Sequence, residues 1–192
     1  MLTLGRVTVT PGFWGLLAFS LCIGAGEIIP LVGMAALCHE MGHLVVLRLF
    51  GADVEGISFT GFGVEIQADT RRLSYGKDIL CTLAGPAVNL VLALVFARVS
   101  KDYLRSGANL LQGMFNLLPV SGLDGSRASH LALSWLLDPM RADRICRRVE
   151  FCCAALICVV SVCLVLKHHV GLCFLLASVG ILRGTFRNKP GK

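Results

Sequence analysis

Residues His39-Glu40-Met41-Gly42-His43 form an HExxH segment inside the run PLVGMAALCHEMGHLVVLRLF, residues 30–50. That run carries no other ionisable side chain except Cys38 before Arg48. An ionisable group at bilayer depth costs roughly 2.5 kcal/mol or more on the lenient insertion scales. Three within five positions therefore mark a site with a task. On a helix, residues four apart share a face about 6 Å apart, so His39 and His43 reach one metal ion while Glu40 stands beside them. This is the geometry of a hydrolytic zinc site set in an apolar helix.

The rest of the chain agrees with a membrane setting. Of 192 residues, 55% are hydrophobic and 16% charged, and the mean hydropathy is +0.75. The expected fold is an all-α polytopic membrane protein, because a bilayer core takes about 20 helical residues per crossing. Candidate spans are 13–29, 30–50, 79–97, 109–137, 151–166 and 170–182. The first is read as a retained helix rather than a cleaved leader. Six alternating spans place 13 Lys and Arg on one side against 4 on the other, so the positive-inside rule puts both termini in the cytoplasm. The net charge of +6 follows from that topology. No basic patch interleaved with aromatics points to nucleic acid.

Between the second and third spans, residues 54–67 mix β-branched and aromatic residues with Gly56, Gly61 and Gly63. They predict a small hairpin or sheet at the membrane surface, with which the strand-like residues 2–10 could pair. Nine cysteines show no CxxC pair, sit mostly in apolar runs, and are read as core filler. His130 is expected to be a hydrogen-bonded structural histidine, and Arg141 to Arg148 a cytoplasmic loop facing anionic lipid.

A catalytic zinc site needs a third protein ligand. The best candidate is Asp124 in FNLLPVSGLDGSR, residues 115–127, an intramembrane carboxylate between Gly122 and Gly125. Pro119 and these glycines should break or bend the fourth span. Backbone groups freed at that depth are tolerated only in protein or a water-filled cavity.

Three segments together, His39 to His43, Ala84-Gly85-Pro86-Ala87-Val88-Asn89, and Asn116-Leu117-Leu118-Pro119 followed by Leu123-Asp124-Gly125, resemble the signatures of the site-2 protease family. That is a family of intramembrane zinc metalloproteases. The likeness covers about residues 9–127 and is nearest to the branch with the bacterial sporulation protease that processes a sigma factor. It implies one integral-membrane protease domain over 1–192, with a core at 9–137 and accessory helices at 151–182. It further implies Zn2+ held by His39, His43 and Asp124, Glu40 as the general base, and Asn89 and Asn116 supporting substrate or oxyanion. The implied reaction is endopeptidase cleavage of transmembrane or membrane-adjacent segments, in the manner of regulated proteolysis of a transcription-factor precursor. The lipid bilayer, a protein substrate and a regulatory membrane partner are the implied associates, in a bacterial cytoplasmic membrane. Neither the nucleotide-sensing domain of the sporulation branch nor an inserted peptide-binding module is found in these 192 residues. Two rivals remain: a non-proteolytic scaffold of the same fold binding partner helices, and a zinc carrier. Retention of a base beside all three ligands speaks against the first, and concentration of ligands at one place against the second.

Overall fold

The computed structural model describes residues 6–11, 14, 28–60 and 63–168. The chain divides into two compact units, residues 1–116 and 117–192. The candidate spans at 13–29 and 170–182 lie almost wholly outside the described residues.

In the first unit, strand β1 (Arg6–Val9) runs parallel to β2 (Asp53–Thr60), which pairs antiparallel with β3 (Gly63–Asp69). The sheet order is β1-β2-β3. The expected pairing of the N-terminal segment with the surface hairpin is thus found, with Arg6 opposite Gly56 and Val9 opposite Phe59. Register slips between Val54 and Gly56, where Glu55 is the extra residue of a bulge. Thr8 and Ser58 share a hydroxyl hydrogen bond of 2.8 Å, and the Gln67 amide donates to Ser58 at 3.3 Å.

Helix α1 (Ile28–Leu49) enters the sheet through a tight stop. Gly51 takes φ +72°, its N–H bonds the Arg48 carbonyl at 3.0 Å, and the Ala52 N–H bonds that of Leu47 at 2.9 Å. These two bonds satisfy the terminal carbonyls of the helix in a Schellman arrangement that requires the left-handed residue. Helix α2 (Tyr75–Val95) follows, with Pro86 in its interior and a π turn at Phe96–Ser100. Helix α3 (Tyr103–Asn116) packs back on α2.

What these helices bury is mostly small or polar. The buried stripe of α2 is Asp78, Cys81, Thr82, Gly85, Pro86, Asn89 and Ala93, while Leu80, Val91 and Leu94 are exposed. On α1, Ala35, His39, Gly42 and Leu47 are buried, whereas Met34, Leu37, Met41 and Val45 face outward. Helices that associate in lipid gain little from hiding apolar side chains, so small residues line their contacts. Gly42 shows the consequence: a Cβ there would lie 2.8 Å from the Ala84 carbonyl oxygen. Among the described residues, two helical stretches, Ile28–Leu49 of 22 residues and Tyr75–Ser100 of 26, are long and apolar enough to cross a membrane. At 1.5 Å per residue the shorter reaches about 33 Å.

The second unit contains α4 (Asp124–Leu136) and α5 (Pro139–His168). The stretch read as one span over 109–137 is in fact α3, then α4, with non-helical backbone at 117–123 between them. Pro119 and the glycines explain the interruption. Gly122 has φ +92° at the third position of a turn closed by the Leu123 N–H on the Val120 carbonyl at 3.0 Å, a place that favours glycine. Gly125 then backs onto the Leu117 and Leu118 carbonyls, where a Cβ would meet the latter at 2.6 Å. The apolar run 151–166 is the later part of α5, whose buried residues Ala142, Cys146, Ala154 and Ser161 are again small.

Candidate metal centre

His39 and His43 occupy successive turns of α1, a continuous helix from Ile28 to Leu49 that ends only at the left-handed Gly51. His39 is buried, at 3% exposure, and His43 is half-buried. Their rings meet edge to face with centroids 4.8 Å apart and planes at 82°. The two Nε2 atoms stand 3.2 Å from each other. Two zinc–nitrogen bonds of about 2.05 Å at the tetrahedral angle would hold their nitrogens about 3.3 Å apart. The pair therefore already has the spacing of two ligands of one ion.

Helix α2 fixes the second histidine. The His43 Nδ1–H donates to the Cys81 carbonyl at 2.8 Å, which leaves the Nε2 lone pair directed at the shared point. Such a bond sets tautomer and ring orientation in metal-ligating histidines. Gly85 makes room for the same ring, because a Cβ there would overlap it, lying 2.7 Å from Cε1 and 2.8 Å from Cδ2. Neither support was assigned from sequence. Cys81 acts through its backbone, which its residue type does not signal.

Asn89 is fully buried on α2, and its side-chain nitrogen lies 3.5 Å from His39 Nδ1. Gly113 of α3 packs against it, since a Cβ at that glycine would be 3.2 Å from the Asn89 Cβ. The structure thus brings His39, His43 and Asn89 together. Glu40 is half-buried on α1 beside them. Asn116, the last residue of α3, donates its side-chain amide to the Gln112 carbonyl of its own helix at 3.0 Å. Asp124 is the first residue of α4 in the second unit, where the positive end of the helix dipole favours a carboxylate.

The chemistry of the donors suits zinc, which takes imidazole nitrogens such as these two from one helix face and accepts a carboxylate oxygen beside them. A carboxylate follows the first histidine directly and can serve as a proton acceptor.

No family model matches the chain. Rip3 of Mycobacterium tuberculosis, named as a zinc metalloprotease, is 31% identical over 119 residues, 55% of this chain and 30% of that protein. A zinc metalloprotease of Methanocaldococcus jannaschii is 25% identical over 130 residues, 62% of this chain and 38% of its own length. Stage IV sporulation protein FB of Bacillus subtilis is 26% identical over 187 residues, 92% of this chain and 65% of that one. The chain thus spans about a third of the length of the first two and just under two thirds of the third. Among solved structures, the site-2 protease of Methanocaldococcus jannaschii matches with a TM-score of 0.72 at 19% identity, covering 97% of this chain and 92% of that one. The likeness carries the fold, a mostly helical one with a small three-stranded sheet.

Proposed function

We propose that this chain, by its relatives a member of the site-2 protease family, is a zinc-dependent intramembrane endopeptidase. The observation that carries the reading is the His39 and His43 Nε2 pair at 3.2 Å, set in a helix long and apolar enough to cross a membrane.

In this reading His39 and His43 hold zinc through Nε2, and Asp124 supplies the third ligand. Bound zinc supplies Lewis acidity, lowering the pKa of its water toward about 7 and polarising the scissile carbonyl. Glu40 takes the proton of the attacking water on a carboxylate oxygen and hands it to the leaving amine. With Asn89 engaged at His39, Asn116 at the end of α3 would serve substrate or oxyanion by turning its amide away from the Gln112 carbonyl.

The substrate is a transmembrane or membrane-adjacent protein segment. A helical substrate must unwind to expose a peptide bond, and an extended segment needs a strand to lie along. Strand β3 is at the edge of the sheet, and both β2 and β3 pack against α1, the helix that carries the histidines. Edge addition there would offer main-chain hydrogen bonds to the unwound segment. Six spans, cytoplasmic termini, a bacterial cytoplasmic membrane and a transcription-factor precursor as substrate complete the proposal, on the charge asymmetry and the sporulation relative.

The test is cleavage of a membrane-embedded reporter by the full chain in proteoliposomes. Activity should vanish with a zinc chelator, return with zinc, and be absent in Glu40→Gln while that variant still folds and binds zinc. Cleavage by Glu40→Gln at the wild-type rate would refute the assignment.

A further inference from the structure

The two histidines are supported unequally, and the inequality concerns Asn89. His43 presents Nδ1–H to the Cys81 carbonyl, so its Nε2 carries the lone pair that can coordinate. His39 Nε2 points at the same place, and coordination through it likewise demands a hydrogen on its Nδ1. The side chain at that nitrogen is the Asn89 amide, 3.5 Å away with its nitrogen end turned to the ring. An NH2 group cannot accept from Nδ1–H, and two donors facing each other repel. The Asn89 side-chain oxygen, meanwhile, is buried with no hydrogen-bond partner. A half-turn of the amide about χ2 exchanges the two atoms without moving the residue.

We infer that Asn89 is a positioning residue for His39: its side-chain carbonyl accepts the Nδ1–H of the buried imidazole and so reserves Nε2 for the metal. The inference rests on the zinc-site reading above and gives Asn89 a different duty from contact with substrate. It makes the pair symmetrical in logic, with each imidazole held by a carbonyl of α2, one from the backbone at Cys81 and one from the side chain at Asn89. Burial fixes the partner. Asn89 has no exposed surface, and Gly113 packs against its Cβ, so water does not compete for the amide. Outer partners of this kind, when removed, cost roughly 10- to 100-fold in metal affinity.

The experiment measures zinc affinity of the detergent-solubilised full chain by chelator competition, for wild type, Asn89→Leu and Asn89→Asp. Leucine matches the volume and lacks the acceptor, whereas aspartate keeps the acceptor in the same place. Thermal unfolding of the metal-free forms reports whether each folds. Expected are about a 10- to 100-fold loss for Asn89→Leu and rescue to within a few-fold by Asn89→Asp. Imidazole nitrogen NMR of the zinc-loaded wild type should place the His39 hydrogen on Nδ1. Wild-type affinity in a folded Asn89→Leu, an equal loss in both variants, or a hydrogen bond from Asn89 to His39 with Nδ1 unprotonated would overturn the inference alone. Failure of the wild type to bind zinc would overturn the metal centre and this inference together.

Discussion

Among the described residues, two polar clusters that contain histidine lie between helix pairs, and they differ in what surrounds them. Between α1 and α2, His39 and His43 meet among small residues, each with Nδ1 turned to α2 and the two Nε2 atoms facing each other. Between α4 and α5, His130 Nε2 pairs with Asp143 at 3.2 Å, Arg147 closes on the same carboxylate, and Ser126 bonds Glu150. The side chains of His130 and Arg147 are 45% and 42% exposed. In the second cluster every named charge is answered within hydrogen-bond reach, and water screens what remains. In the first, two imidazole nitrogens from one helix face are brought within 3.2 Å of each other. Convergent lone pairs mark a place for a cation, whereas matched charges mark a clasp between helices.

The comparison breaks most easily at Gly85. Alanine there would drive a methyl group into the His43 ring, so Gly85→Ala should lower zinc affinity by about 100-fold or more. Chelator competition against the metal-free protein's unfolding profile measures it. An unchanged affinity would mean that the ring has other room.

At the other cluster the effect should be small. His130→Gln removes a half-exposed pair, worth about 0–1 kcal/mol of stability, and should leave zinc affinity within about twofold, since the exposed clasp supplies no ligand. Denaturant unfolding and the same zinc titration provide the two numbers. A large loss of zinc binding on His130→Gln would abolish the distinction drawn between the clusters.

Smallest of all is the surface pair at the end of β3. The Arg71 backbone N–H, at 3.0 Å, and then its guanidinium, at 3.1 Å, hold the Asp69 carboxyl below its usual range. A carboxyl whose folded pKa is depressed contributes stability above its unfolded pKa, and that contribution is lost as pH falls through the folded value. The site is exposed, so salt should weaken the effect. Titration of Asp69 by NMR in wild type and Arg71→Ala should show the variant moving back up toward an ordinary carboxylate. No upward movement would show that the backbone N–H alone sets the shift.

How far the residues announced this arrangement depends on where the information sits. The HExxH spacing gave the histidine face directly, because helical period and residue type suffice, and the predicted span at 30–50 is α1 within two residues of either end. The N-terminal strand pairing was legible from alternation alone. Pro119, Gly122 and Gly125 announced a break in the fourth span, and 117–123 is its position. The Cys81 carbonyl was invisible because any residue has one. The fit of Gly85 to His43 depends on helix packing between positions 42 residues apart, and no local pattern encodes that. Asn89 stands out through its segment, which places it near the histidine pair, and the packing of α1 on α2 narrows that neighbour to His39. Asn116 lacks such a neighbour in sequence, and its amide caps its own helix.

Zinc held by the histidine pair must be told apart from zinc held by thiolates, since the chain also carries nine cysteines. X-ray absorption at the zinc edge of the full chain, loaded with one equivalent of metal, reads the donors directly. Nitrogen and oxygen neighbours near 2.0 to 2.2 Å with an imidazole scattering pattern are expected, and the His39→Ala, His43→Ala double variant should lose them. Sulfur neighbours near about 2.3 Å, or an unchanged spectrum in the double variant, would contradict the account.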